Sequence, residues 1–439
     1  MMFQRLAALL VLALAPLLLT GRAHAIDIQE VTSPGGIKAW LVEAHGIPLI
    51  SMQMAFDGGA ALDPPGKEGA VNFLTGMMDE GAGDLDGPAF QKLRDSHSIS
   101  LSFSASSDYY QASLSTLSKN KDEALGLLKR AVTDLHLTEE PMERMRAYFI
   151  QRAEDAAKDP TTLAVRNWAS LAFPGTAYAR LTDGTPESLK SITADDLRAL
   201  SKAVFTRHNL RIAVAGDIDA ATLGHDLDAL FGGLPAGEER SKPAITMTAG
   251  PLQKVIAYEA PQSVLLFGGP APDKLAADSL AYYVATQLLG GDATFARLTR
   301  DVREKRGLTY GVSFDGVDLK NVHYGLGYLS TANATAGEAL AAAQETMARF
   351  AAEGPSDEEL ALAKTNLMGA YVLRFDSNAS IASALLGMQM NGFPIDYIKT
   401  RNSRVSAVSR DEVKAAARHW LDPAKMVTVI VGKPEGLKP

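Results

Sequence analysis

The stretch "SITADDLRALSKAVFTRHNLRIAVAGD", residues 191–217, returns near the end of the chain as "AVSRDEVKAAARHWLDPAKMVTVIVGK", residues 407–433. The two align without a gap: Ile192 with Val408, Thr193 with Ser409, Asp195 with Asp411, Ala199 with Ala415, Phe205 with Leu421 and Gly216 with Gly432. Each copy reads as a helix with a Thr or Ser N-cap and acids in its first turn, followed by an apolar strand that stops at glycine. Chance similarity between two helix-strand units would not match at every element boundary, so the chain is read as a duplication.

Upstream of each copy the order of elements is the same. The first half shows strands at "IKAWLVEA" and "LISMQMAFDGG", helices near 67–81 and 87–96, a strand pair ("SISLSFSASS", "YYQASLSTLS") and long helical patterns from Asp122 to about Phe173. The second shows strands at "KVIAYEA" and "SVLLFGG", helices near 275–289 and 293–304, a strand pair ("TYGVSFDGV", "HYGLGYLST") and helices from about Thr335 to Val405. Strands and helices in this proportion predict an α+β fold: two homologous halves, each a mainly antiparallel sheet covered by helices. The expected organisation is an N-terminal domain over 26–232, a Gly-, Pro- and charge-rich linker over 233–251, and a C-terminal domain over 252–439.

Residues 1–25 stand apart. A charged start at Arg5, an apolar run from Leu6 to Leu19 and small residues around "AHA" predict a secretory signal cleaved after Ala25. The run is shorter than the ~18 apolar residues a membrane span needs. The chain has no cysteine, which removes disulfides, thiolate zinc sites and a cysteine nucleophile. Export without cysteine predicts a periplasmic protein. A formal net charge of −8 argues against a nucleic-acid partner, because phosphate binding wants a basic surface.

Several chemistries lack their residues. No two histidines stand at i and i+4, the spacing that points two imidazoles to one side of a helix. There is no G-x-S-x-G nucleophile elbow and no glycine pattern spaced to cradle phosphates. The segment "TFARLTRDVREKRGLTYGV", Thr294 to Val312, is more informative. It predicts a helix ending in Arg303, Lys305 and Arg306, closed by Gly307, with Tyr310 opening a strand. Basic residues at a helix C-terminus and Tyr in a strand are ordinary structural choices. The same turn also brings a guanidinium and a phenol to one ledge, suited to peptide carbonyls.

At these residues the chain resembles the pitrilysin family of zinc peptidases, the inverzincins that include insulin-degrading enzyme and the mitochondrial processing peptidase. More closely, it resembles short bacterial subunits built as one pair of homologous halves, a processing-peptidase-like clam. The likeness rests on the duplication, "DGGAALDPPGKEGAVNFLTGMMDEGAG", "LLGGDATFARLTRDVREKRGLTYGV" and the terminal "VTVIVGKP". Its most specific element is R-E-x-x-G-L-x-Y, matched in full from Arg303 to Tyr310. The resemblance implies that Arg303 and Tyr310 contact substrate.

The family also carries an inverted zinc motif, H-x-x-E-H, whose histidines hold zinc and whose glutamate is the base. On "GKEGAVNFLTGMM" those positions are Asn72, Thr75 and Gly76, and all three groups are gone. The helix region of the further zinc-binding glutamate is "FIQRAEDAAKDP", which places Arg152 there, with Glu154 two residues on. Gly76 is expected to leave room where a histidine and an ion would project. The resemblance therefore implies no catalytic residue and no cofactor bound by this chain, with zinc supplied by a homologous, motif-bearing partner in a heterodimer. This chain would be the substrate-binding subunit of a periplasmic zinc peptidase, its substrate a peptide or unfolded polypeptide. The alternative is a stand-alone peptide-binding or structural pseudoenzyme of the same fold.

Overall fold

The computed structural model describes residues 26–238, 245–291 and 294–437. The expected signal over 1–25 and part of the linker lie outside the described residues. The repeated unit forms as its sequence dictates. Thr193 caps the helix Ala194–Val204 and Ser409 caps Arg410–Trp420, and both caps are reciprocal boxes. Thr193 Oγ1 accepts from the Asp196 backbone N–H at 3.2 Å, and Asp196 accepts from the Thr193 N–H at 2.8 Å. Ser409 and Glu412 repeat this at 3.2 and 2.7 Å. Each box satisfies two N–H groups that the first helical turn leaves without partners. The strands that follow end at Gly216 and Gly432, with φ of 142° and 149°. A Cβ there would lie 2.2 Å from the Leu49 carbonyl oxygen and 2.4 Å from Ser263 Oγ, so both copies need glycine.

The first sheet contains β1 (Gln29–Thr32), β2 (Lys38–Glu43), β3 (Leu49–Asp57), β6 (Ser100–Ala105), β7 (Tyr109–Leu117) and β8 (Leu210–Gly216). A two-stranded ribbon, β4 (Gly81–Ala82) with β5 (Leu85–Asp86), stands apart from it. The second sheet contains β9 (Leu252–Ala257), β10 (Gln262–Pro270), β11 (Gly311–Asp318), β12 (His323–Ala332) and β13 (Val427–Gly432). The orders are β1-β2-β8-β3-β7-β6 and β11-β12-β10-β13-β9. With β1 set aside, the second order is the first in reverse listing, strand for strand. In each sheet one pairing is parallel, β2 with β8 and β9 with β13, and the others are antiparallel. The α+β duplication is thus the architecture of the molecule.

The central strands are continuous apolar runs because both of their faces are covered. On β8, Ile212 and Val214 enter the first core while Ala213 and Ala215 face the other way. On β13, Ile430 enters the second core while Val427, Val429 and Val431 face away. What covers those second faces comes from the other half of the chain. Each sheet is covered by helices as expected, and one helix of each half is exchanged onto the other sheet. Pro160–Ala172, from the first half, lies on the second sheet, where Trp168, Ala164 and Ala172 pack on Val427, Val429 and Val431. Asn378–Met390, from the second half, lies on the first sheet, where Ala382, Leu385 and Leu386 pack on Ala55, Ala213 and Ala215. Each exchanged helix is also pinned to a central strand: the Trp168 indole N–H donates to the Val427 carbonyl at 2.9 Å, and Gln389 Nε2 to that of Ile212 at 2.8 Å.

The described parts of the linker are held as well. Arg207 and His208 donate their N–H groups to the carbonyls of Pro235 and Ala236, and Met247 is buried against the exchanged helix.

Candidate functional site

The helix bearing the motif positions spans Ala70–Met77, shorter at both ends than the periodicity predicts. Its start is fixed by Asp63, whose carboxylate accepts from the N–H groups of Gly69 at 2.7 Å and Val71 at 2.8 Å. Burial pushes the Asp63 carboxyl up to about 6, against those N–H donors and the neighbouring Arg180. Phe73, Leu74 and Met77 are buried beneath the sheet, which turns Asn72, Thr75 and Gly76 toward the helix Glu139–Ala156.

None of the three is set for metal chemistry. Asn72 Nδ2 donates to Asp183 Oδ1 at 2.7 Å, and Arg152 Nη2 approaches the same oxygen at 3.8 Å. Thr75 Oγ1 donates back into its own helix, to the Asn72 carbonyl at 2.7 Å. A Cβ on Gly76 would lie 2.6 Å from Met145 Cε and 2.8 and 2.9 Å from two ring atoms of Phe149. The expected room at Gly76 is therefore absent: Met145 and Phe149 of the facing helix fill it, and Phe149 is itself locked against Phe73 with ring centroids 5.4 Å apart. Zinc needs deprotonated nitrogen, sulfur or carboxylate ligands in an open cage. This constellation offers an amide, a self-satisfied hydroxyl, a plugged space and a guanidinium, and does not fit the ion.

Arg152, rather than Glu154, stands at the site, because the face of its helix that meets the motif carries Met145, Phe149 and Arg152. Glu154, two residues on, is exposed. Three of the histidines are engaged elsewhere: His45 between Glu43 and Asp217, His136 on the Gly83 carbonyl, His323 on Asp318. No group of three or more acids and histidines among the described residues is disposed to hold a metal. Asp183 was not singled out in the sequence. It sits in a turn just before the N-cap Thr185, and only the fold brings it to Asn72 and Arg152.

The other predicted pair lies in the second half. The helix before Gly307 is wider than expected: Thr299–Glu304 is a π-helix, with the Lys305 N–H donating to the Arg300 carbonyl at 3.0 Å. Gly307, at φ 63°, closes it by donating to the Arg303 carbonyl at 3.0 Å, and the Leu308 N–H reaches the Val302 carbonyl at 3.1 Å. Thr309, buried, then ties the turn into the sheet by donating to the Ser330 carbonyl at 2.6 Å. Tyr310 emerges from this rigid corner 87% exposed.

Around it, the cations are paired. Arg297, buried, makes a forked contact with Glu359 at 3.0 and 2.7 Å, which Arg300 joins at 3.3 Å. Buried Asp301 takes Lys305, Arg300 and Arg349. Arg306 pairs with Glu345 at 2.7 Å. Arg303 alone of this segment's cations is exposed with no side-chain partner among the described residues. A free guanidinium and a free phenol, held on a closed turn, can donate to peptide carbonyls and stack on a side chain without first breaking a bond. Among the described residues, no hydrogen bond or ion pair joins this ledge to the motif helix.

The forked pair makes the ledge's support sensitive to acid. Burial opposes ionisation of Glu359, but its bonds from Arg297 and the Ser356 N–H outweigh this and hold the carboxyl at about 2, below its ordinary 4.5. With the folded value depressed, the stabilisation is full above pH ~4.5 and is lost as pH falls toward ~2. The carboxylate is 17% exposed, so about 2–3 kcal/mol is expected to go across that window. Urea unfolding at pH 5 and pH 3 measures roughly half of it, since the folded carboxyl is still largely ionised at pH 3. Glu359→Gln is expected to flatten the difference, and an unchanged pH dependence in that variant would rule the pair out as its source.

Comparison with known proteins agrees with the geometry. The family description "Peptidase M16 inactive domain" matches residues 191–367, from the first repeated helix through the Arg303–Tyr310 turn. A non-peptidase homolog, YmxG, of Helicobacter pylori is 25% identical over 392 residues, covering 89% of this chain and 90% of that protein. The crystal structure of a peptidase M16 inactive domain from Pseudomonas fluorescens superposes with a TM-score of 0.88 at 25% identity, covering 94% of this chain and all of that one. A Helicobacter pylori protease shares the fold, with a TM-score of 0.84 at 15% identity over 93% of this chain. Together these similarities support a pitrilysin-family (M16) protein that lacks catalytic activity.

Proposed function

We propose that this protein is the substrate-holding subunit of a heteromeric zinc peptidase of the periplasm. The observation that carries the reading is a contrast between the two inherited sites. The motif helix is plugged by Met145 and Phe149, while Arg303 and Tyr310 are presented unpaired on a rigid turn. A homologous subunit with an intact H-x-x-E-H helix supplies zinc and the base. Arg303 and Tyr310 hold an extended peptide by its backbone across from that helix. Positioning of this kind lowers the barrier by fixing the reacting groups, although these residues make and break no bond.

The test is reconstitution. This chain, its motif-bearing homologue and the mixture are assayed for peptide cleavage and zinc content. Cleavage is expected from the mixture, well above either chain alone. Arg303→Ala in the mixture is expected to lower kcat/KM roughly 10–100-fold, the loss of one or two charge-assisted hydrogen bonds worth about 1.5–3 kcal/mol. Zinc-dependent cleavage by this chain alone, or a mixture no more active than the homologue, overturns the proposal. In the second case, peptide binding by this chain alone identifies the stand-alone alternative.

A further inference from the structure

The motif helix has a counterpart in the second half, and there the equivalent space is open. Helix Ser279–Gly290 occupies the same place between strands as Ala70–Met77. Aligning "FLTGMM" with "VATQLL" superimposes buried on buried: Phe73, Leu74, Met77 and Met78 on Val284, Ala285, Leu288 and Leu289. Asn72, Thr75 and Gly76 then correspond to Tyr283, Thr286 and Gln287. The facing helices correspond too: Glu139–Ala156, with Thr138 at its N-cap position, and Asp357–Val372, capped by Ser356. Where the first half is filled by Met145 and Phe149, the second encloses a cavity of about 480 Å³ lined by Tyr283, Thr286 and Gln287. The exchanged helix Asn378–Met390 supplies another wall, through Ser383, Ala384 and Gly387.

The wall chemistry is aromatic and cationic. Arg401 is 6% exposed, yet it forms no ion pair among the described residues; its Nη1 donates to the Leu367 carbonyl at 2.7 Å and to Asn402 Oδ1 at 2.9 Å. Its guanidinium carbon lies 4.4 Å from the centre of the Tyr371 ring and 5.9 Å from that of Tyr283. Arg404 and Arg374 reach the same cavity, again without a carboxylate partner among the described residues. A buried cation is costly unless an anion or several dipoles compensate it. The acids on the strand wall are engaged otherwise: Asp315 accepts from Gln287 at 3.4 Å and Asp318 from His323 at 2.7 Å. Tyr282 also lines the cavity, 6% exposed, and its hydroxyl has no partner among the described residues.

We propose that this cavity is a ligand site for a carboxylate carried on an aromatic or apolar body, either a free N-acylated amino acid or the C-terminal residue of a peptide. The planar guanidinia match a carboxylate, the tyrosine rings take the body, and the volume is in the range of small-molecule sites. The site is separate from the Arg303–Tyr310 ledge. Asp315 lies five residues along the strand from Tyr310, about 17 Å at a strand's rise.

The test uses this chain alone, so its failure leaves the reading of the heteromeric peptidase standing. N-acetyl-phenylalanine, its C-terminal amide and the tripeptide Gly-Gly-Phe are titrated by calorimetry. The two acids are expected to bind saturably and the amide at least tenfold more weakly. Arg404→Gln, at an exposed position, is expected to weaken the acids several-fold. Gly387→Leu is the blocking variant: a Cβ there meets nothing within 4 Å, so the side chain enters open space. It is expected to abolish binding without lowering Tm. A tripeptide that binds more tightly than the single residue assigns the site to peptide ends, and equal affinity assigns it to the free acid. Absence of saturable binding, equal binding of acid and amide, or unchanged binding in Gly387→Leu overturns the proposal.

Discussion

Trp168→Ala is expected to destabilise the protein by about 3–5 kcal/mol, the range for emptying a fully buried tryptophan site. Trp168 belongs to the first half by sequence, yet it is 2% exposed against the second sheet. Its ring lies edge-on to Phe173, 5.9 Å between centroids, and tilted over Tyr324 at 5.0 Å. The neighbouring strand is shaped to receive it: a Cβ on Gly268 would lie 2.6 Å from Trp168 Cζ2. Truncation removes these contacts and also leaves the Val427 carbonyl without its indole donor, a further cost for a buried acceptor. Because the helix joins the halves, the loss acts on both. Urea unfolding followed by circular dichroism is expected to show the midpoint falling for the whole chain. A midpoint within 1 kcal/mol of the parent would mean that the exchanged helix adds little to holding the halves together.

Rebuilding the inverted motif as Asn72→His, Thr75→Glu and Gly76→His is expected to give a less stable protein that still binds no zinc. Gly76→His alone is expected to cost about 2–3 kcal/mol. Leaving glycine returns a fraction of a kcal/mol in helix propensity, but an imidazole must enter space already held by Met145 and Phe149. Asn72→His also removes the amide that holds Asp183 at 2.7 Å. The Arg152 guanidinium would then stand beside the incoming cation. Unfolding midpoints and zinc content after dialysis measure the two outcomes. Stoichiometric zinc in the triple variant would show that the plug yields and that loss of the ligands was the only change. If the plug is the obstacle, zinc is recovered only when Met145 and Phe149 are also reduced and Arg152 is replaced by Glu.

The site was legible in the sequence to different depths. Missing ligands at Asn72, Thr75 and Gly76 are facts of residue type, so refusing metal chemistry needed no coordinates. What became of the vacated space was not legible. Glycine in a helix looks like room, and only the facing helix, more than sixty positions later, shows Met145 and Phe149 occupying it. Arg303 and Tyr310 were proposed from a local motif, and Gly307 predicted the turn between them. The π-helical widening was not predicted, because the residue pattern of this segment reads the same for an α-helix. The cavity around Arg401 was missed because its walls come from widely separated segments, and none carries a motif.

By itself the sequence determined the duplication, the α+β class, the caps at Thr193 and Ser409 and the two central strands. All of these follow from local capping, apolar periodicity and the special backbone of glycine. The tertiary structure alone decided which half each helix covers. Pro160–Ala172 and Asn378–Met390 each carry an apolar face, and a sequence does not say which sheet will receive it. The choice is made by shape. Ala55, Ala213 and Ala215 let one helix approach the first sheet closely, and Gly268 admits Trp168 to the second. Burial is nondirectional, so the partner of an apolar face is settled by complementarity across the fold.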